Sequence, residues 1–171
     1  DTGLAIAPLY DEPFMAAVPS THPLAALPSV TAQALKDETM LLLGNGHCFR
    51  DHVLEVCPEF ARFSSTAEGI RKSFEGSSLE TIKHMVAAGM GITLLPRLSV
   101  PQGALNDEPL GRRQAAGEQE PTFIKYLPFE GHVPSRRVVL AWRRSFTRYE
   151  AIAALRNAIY ASDLPGVQRL T

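Results

Sequence analysis

An α/β fold with a largely parallel sheet is what this sequence predicts, and three observations predict it. Short apolar, strand-like runs alternate with amphipathic helical stretches. Gly, Pro, Asn and Asp punctuate the junctions between them. The 171 residues are 45% hydrophobic, enough for one sizeable core or two small ones sharing a cleft. No internal repeat is visible.

The elements follow in order. Leu4 to Ala7 is a short apolar run. Asp11-Glu12-Pro13 breaks the chain, and Phe14 to Pro19 then forms a buried strand. His22-Pro23-Leu24 opens a turn, and Thr31 to Asp37 suits a short helix. Thr39 to Leu43 is the next strand, stopped by Gly44-Asn45-Gly46. Phe49 to Val56 is apolar at 49, 53, 54 and 56, a one-sided helical pattern closed by Pro58. Ser64 to Gly76 is polar and weakly patterned, a loop or frayed helix. Ser77-Ser78-Leu79-Glu80 matches a capping box with Ser77 as N-cap. Leu79, Ile82, Met85 and Val86 form the stripe of that helix, and Gly89 ends it. Ile92 to Pro96 is a buried strand, and Gly103 to Pro121 a polar surface loop. Phe123 to Phe129 and Arg137 to Trp142 read as strands. Phe146 to Tyr160 is a closing amphipathic helix with Tyr149, Ile152, Leu155 and Ile159 inward.

Composition excludes several classes. The formal net charge is −1, without the basic footprint of a nucleic-acid-binding domain. No apolar run is long enough to span a membrane. The chain opens on Asp1 with no signal-peptide pattern, so earlier sequence is expected and the location expected is the cytoplasm. His84 and His132 lack metal-ligand spacing, and no phosphate-binding glycine motif occurs. No metal and no cofactor are expected.

The two cysteines, Cys48 and Cys57, are the most informative residues. The bland reading is a pair of buried thiols in an intracellular protein. The sharper one begins with Cys48 at the start of a predicted helix, where unpaired N–H groups favour a thiolate. His47 adjoins it, Arg50 follows in the same segment, and Gly44 and Gly46 leave room for a small oxidant. Cys57 lies between Val56 and Pro58 and suits a buried thiol that is inert while reduced. Nine helical residues span roughly 13 Å. A disulfide needs Cα atoms within about 7 Å. A Cys48–Cys57 bond therefore requires the helix to unravel or swing, which makes the pair a switch.

These residues carry a resemblance. Gly46-His47-Cys48-Phe49-Arg50-Asp51, then Cys57, Ser78-Leu79-Glu80-Thr81, Met85-Val86-Ala87-Ala88-Gly89 and Gly91-Ile92-Thr93-Leu94-Leu95-Pro96 are similar to the regulatory domain of the OxyR family, the peroxide-sensing branch of the LysR-type regulators. The Asp11-Glu12-Pro13 lead-in and His22-Pro23-Leu24 are similar to LysR-type regulators in general. The resemblance implies two Rossmann-like subdomains of the periplasmic-binding-protein type, the first incomplete. Residues 1–13 would end the first subdomain, 14–137 form the second, and 138–171 return to the first. It implies Cys48 as the peroxidatic cysteine and Cys57 as the resolving one. His47, Arg50 and Asp51 would pack around the thiol, and Arg137 would lie near a peroxide pocket. Glu80 and Ala88 would sit in a dimer interface, and Arg143 near a polymerase contact. The partners implied are hydrogen peroxide, further copies of the chain in a dimer or tetramer, RNA polymerase, and DNA through a separate N-terminal domain.

Two other functions are consistent with the sequence. One is a LysR-type domain binding a small metabolite in the cleft, with incidental cysteines. The other is a thiol peroxidase, disfavoured because no second catalytic constellation appears. A non-enzyme is expected. Ser77, Ser78 and Thr81 are read as helix caps rather than an anion site. Met85 and Met90 are read as core, Trp142 as core or partner contact, and the pairs Arg112-Arg113 and Arg143-Arg144 as solvated surface.

Overall fold

In the computed structural model, residues 3–58, 73–105 and 123–170 are described. The strands are β1 (Leu4–Pro19), β2 (Met40–Leu43), β3 (Ser73–Gly76), β4 (Thr93–Pro96), β5 (Ile124–Pro128), β6 (Ser135–Arg143) and β7 (Gln168–Arg169). The helices are α1 (Ala32–Leu35), α2 (Cys48–Val56), α3 (Leu79–Ala87) and α4 (Tyr149–Ala161). Short 3-10 turns cover Pro23–Ala26 and Arg97–Ser99.

β1 is the spine. The break expected at Asp11-Glu12-Pro13 does not occur, because the breakers are satisfied within the strand. Asp11 and Glu12 pair with Arg137 and Arg136 on β6. Pro13, which lacks an N–H, sits where β1 changes neighbours. Up to Pro13, β1 pairs with β6, and Tyr10 and Asp11 also face β7. From Phe14 onward it pairs with β4 on one side and β5 on the other.

Every pairing of β1 is antiparallel, which corrects the expectation of a largely parallel sheet. Alternation of strands and helices implies parallel crossovers, but β5 and β6 follow each other with no helix between them. Among the described residues, parallel pairing is confined to β2 with β3 and to single bridges, Met40 to Ile92 and Val30 to Phe129.

The two-residue period of β1 divides the interior. Phe14, Ala16 and Val18 join a cluster with β2, Phe49, Val53, Ile82 and Leu94. Met15 and Ala17 join a smaller one with Leu95, Val100 and Tyr126 on the opposite face.

Three further expectations are revised. Residues 73–76 are a strand, held by β2 rather than by any pattern of their own. Most of the polar stretches predicted over 64–76 and 103–121 lies outside the described residues. The N-cap of α3 is Ser78, whose Oγ accepts from Thr81 N at 3.1 Å, while Glu80 turns outward to Lys83 at 2.7 Å. The C-terminus of α3 is as predicted: Gly89 has φ +77° and donates to Val86 O, and Met90 donates to Met85 O, the Schellman pattern. In α4, Ile152 and Ile159 are half-buried, but Tyr149 and Leu155 are exposed. Near its C-terminal end Tyr160 Oη donates to Leu170 O at 2.6 Å. No described helix is long and apolar enough to cross a membrane.

Candidate functional site at helix α2

The sequence builds α2 from its two ends. Gly46, at φ +94°, turns the chain out of the loop after β2. His47 takes the extended N-cap conformation and its carbonyl accepts from Arg50 N at 2.9 Å, but no side chain caps the helix. Cys48 is then the first helical residue and is exposed. At the other end, Cys57 N donates to Val53 O, its backbone leaves the helical region, and Pro58 follows.

Phe49, Val53 and Cys57 are spaced by four and share the buried face. Nine steps of about 100° place position 48 roughly half a revolution from position 57. Cys48 therefore faces solvent while Cys57 is 1% exposed. Neither forms a disulfide.

Arg50 is buried, with Nη1 donating to Leu43 O and to Glu75 Oε1, both at 2.8 Å. It braces α2 against the ends of β2 and β3, and that nitrogen is not directed to the thiol. His47 and Asp51 are exposed beside Cys48 on the first turn.

Arg137 and its neighbour Arg136 lie on opposite faces of β6. Arg137 makes two bonds to Asp11, at 2.8 and 2.9 Å. These N–H groups hold the Asp11 carboxyl below its ordinary value and raise Arg137 above its own. Arg136 instead places its guanidinium over the ring of Phe49 at 5.6 Å. Its Nε donates to Glu12 at 2.8 Å, and Glu12, 1% exposed, also accepts from Leu98 N at 2.9 Å. Burial and the Glu12 carboxylate raise the nearby Tyr10 phenol, while Arg136 opposes them.

An aromatic group completes the seat of α2. Phe14 meets Phe49 edge-on at 5.2 Å and stacks on His52 at 6.2 Å. His52 Nδ1 is buried with no hydrogen-bond partner. A cavity of about 540 Å³ opens beside the helix, lined in part by His52, Glu55, Glu130, His132 and Ser135.

The structure thus brings Cys48, His47, Arg50 and Asp51 together on the first turn of α2, with Cys57 at its far end. Arg137 bonds to Asp11 on the strand behind, and Glu80 and Ala88 are exposed at opposite ends of α3. Sequence reasoning assigned no role to Arg136, Glu12, Phe14 or His52. Strand alternation was the available signal for Arg136, and a carboxylate inside an apolar strand was the signal for Glu12.

The LysR substrate binding domain family matches residues 1–162. A hydrogen peroxide-inducible genes activator of Pectobacterium carotovorum subsp. carotovorum is 36% identical over 149 residues, covering 85% of this chain and 42% of the relative. The chain thus spans less than half the length of the curated relatives it matches. The reduced form of OxyR from N. meningitidis superposes with a TM-score of 0.81 at 38% identity, over 100% of this chain and 71% of that one. The reduced OxyR regulatory domain from Pseudomonas aeruginosa gives 0.71 at 38% identity, over 95% and 68%. The chain belongs to the LysR substrate-binding-domain family, in its OxyR branch, and has the periplasmic-binding-protein-like fold of that family.

Proposed function

We propose that this chain is the sensing domain of a peroxide-responsive transcription regulator, and that Cys48 and Cys57 are its switch. One observation carries the reading: an exposed cysteine opens a helix whose other end buries the second cysteine. The Cys48 thiolate attacks one oxygen of hydrogen peroxide, the O–O bond breaks, and the departing hydroxide is protonated to water. Cys48 is left as a sulfenic acid. The Cys57 sulfur, losing its proton, then attacks the Cys48 sulfur; the S–O bond breaks, a second water leaves, and the disulfide forms.

Helical geometry holds the two Cα atoms roughly 13 Å apart, beyond the reach of a disulfide. The second step therefore requires α2 to unwind and lift Phe49 from Phe14 and Arg136. One oxidation per chain, followed by external reduction, is the behaviour of a sensor and not of an enzyme. His47 and Asp51 surround the thiol, and Arg136 joins Arg137 as a candidate for the pocket. Assembly through the α3 face bearing Glu80 and Ala88, polymerase contact near Arg143, DNA contact through a separate domain and a cytoplasmic location complete the reading. The domain limits proposed are 1–13, 14–137 and 138–171, and the first boundary coincides with the change of neighbours along β1.

Equimolar peroxide added to reduced protein should remove two hydrogen atoms per chain by intact mass spectrometry, with Cys48 and Cys57 joined in one peptide pair. Cys57→Ser should stop at a sulfenic acid trapped by dimedone. A peroxide-induced disulfide of unchanged yield in Cys48→Ser would overturn the reading.

A further inference from the structure

We infer that Arg136 is a positioning residue for the switch: seated over Phe49, it holds α2 in the helical, reduced form and so sets the redox potential of the Cys48–Cys57 pair. The inference rests on the switch proposed above, and it concerns the equilibrium of that switch rather than its encounter with peroxide.

Three contacts place Arg136 for this task. Glu12 is 1% exposed and both of its oxygens are occupied: Oε1 accepts from Leu98 N at 2.9 Å, and Oε2 accepts from Arg136 Nε at 2.8 Å. The carboxylate is fixed by its strand and by the turn at Leu98, and it fixes the arginine in its turn. The Arg136 guanidinium then lies 5.6 Å from the centroid of the Phe49 ring, within cation–π range. Phe49 is 7% exposed and follows Cys48 directly in the first turn of α2.

The two ends of α2 are not equally free to move. Cys57 is packed in the core cluster. Cys48 is exposed, its turn has no side-chain cap, and Gly46 at φ +94° precedes it. Cys48 is therefore the end that travels when the disulfide closes, and its neighbour Phe49 travels with it. Arg136 cannot follow, because Glu12 holds it. The contact between ring and cation thus belongs to the reduced form and is lost in the disulfide form. An interaction made by one redox form alone shifts the equilibrium toward that form. Arg136 makes the dithiol more stable and the disulfide easier to reduce.

A glutathione redox series on the intact chain tests this. The two thiols of the chain give up two electrons and two protons to glutathione disulfide, which becomes two molecules of glutathione thiol. The ratio of dithiol to Cys48–Cys57 disulfide is read by mass spectrometry after an acid quench. Arg136→Met should favour the disulfide about fivefold in equilibrium constant, a potential lower by about 20 mV. In a Phe49→Leu background, which keeps an apolar side chain but lacks the ring, the same substitution should leave the potential nearly where it was. A role in general folding would weaken both redox forms alike and would not move the potential. If Arg136→Met does not fold, Arg136→Lys takes its place. It keeps a cation for Glu12 but gives up the planar group over the ring, and should lower the potential in the same direction. An unchanged potential, or an equal shift with and without the Phe49 ring, would overturn the inference and leave the switch standing. A parent chain that forms no Cys48–Cys57 disulfide anywhere in the series would remove the switch itself, and the inference with it.

Discussion

Residue by residue, the informative side chains are charged groups inside or beside β1. Glu12 holds two strands and a turn together through Arg136 and the Leu98 amide, all within 2.9 Å. Glu12→Gln keeps the shape but opposes an amide nitrogen to one of these donors. It should lower unfolding stability by about 2 kcal/mol in urea titration, since Arg136 retains some contact with water. Asp11 gives a pH-dependent test. Its pKa is lowered in the fold by Arg137, so its contribution is present above the unfolded value of 3.8 and is lost as pH falls through the folded one. The stability difference between Asp11→Asn and the parent should be present at pH 6 and vanish in strong acid. The pair is solvent-exposed, so the difference should also shrink in high salt. Arg136 and Arg137 show what a linear sequence hides. Both arginines are visible, but which one meets Phe49 is decided by the register of β6 against β1, a long-range fact.

Among the elements, α2 was the most legible and β3 the least. The apolar positions 49, 53, 54 and 56 and the glycines before Cys48 are local signals, and both survive in the fold. Ser73–Gly76 has no internal pattern and becomes a strand only because β2 offers it a parallel partner. The sequence alone divides β1, because Asp11, Glu12 and Pro13 look like breakers until their partners, more than 120 residues away, are known. α4 fails in the other direction: its stripe is sound, but the stripe does not say how much of it is covered. A prediction for α2 follows from Arg50, which anchors the helix while the first turn lacks a side-chain cap. Arg50→Met should leave Leu43 O and Glu75 without this donor, lower stability by about 1–3 kcal/mol, and accelerate hydrogen exchange in α2 more than in α3. Equal acceleration in both helices would mean that Arg50 supports the whole fold and not this element.

For the whole molecule, β1 is the only strand shared between the part built on β6 and β7 and the part built on β4 and β5, as far as the described residues extend. The change of neighbours at Pro13 and the crossing of Glu12 to both Arg136 and Leu98 sit at the same level of the strand. Topology of this kind was not readable from periodicity, which gives faces but not directions. The burial of Cys57 has a consequence outside oxidation. Because Cys48 is exposed and Cys57 is 1% exposed, the two thiols differ in how much of the structure must open before a reagent reaches them. A maleimide dye added to the reduced native chain should attach once quickly. The second attachment should wait for the core around Phe49 and Val53 to open, and an opening free energy of about 3 kcal/mol would slow it about a hundredfold. The ratio of singly to doubly labelled chains, followed in time, is then a built-in gauge of breathing in this core. It needs no engineered probe and can be read on the same mass spectrometer that follows the disulfide.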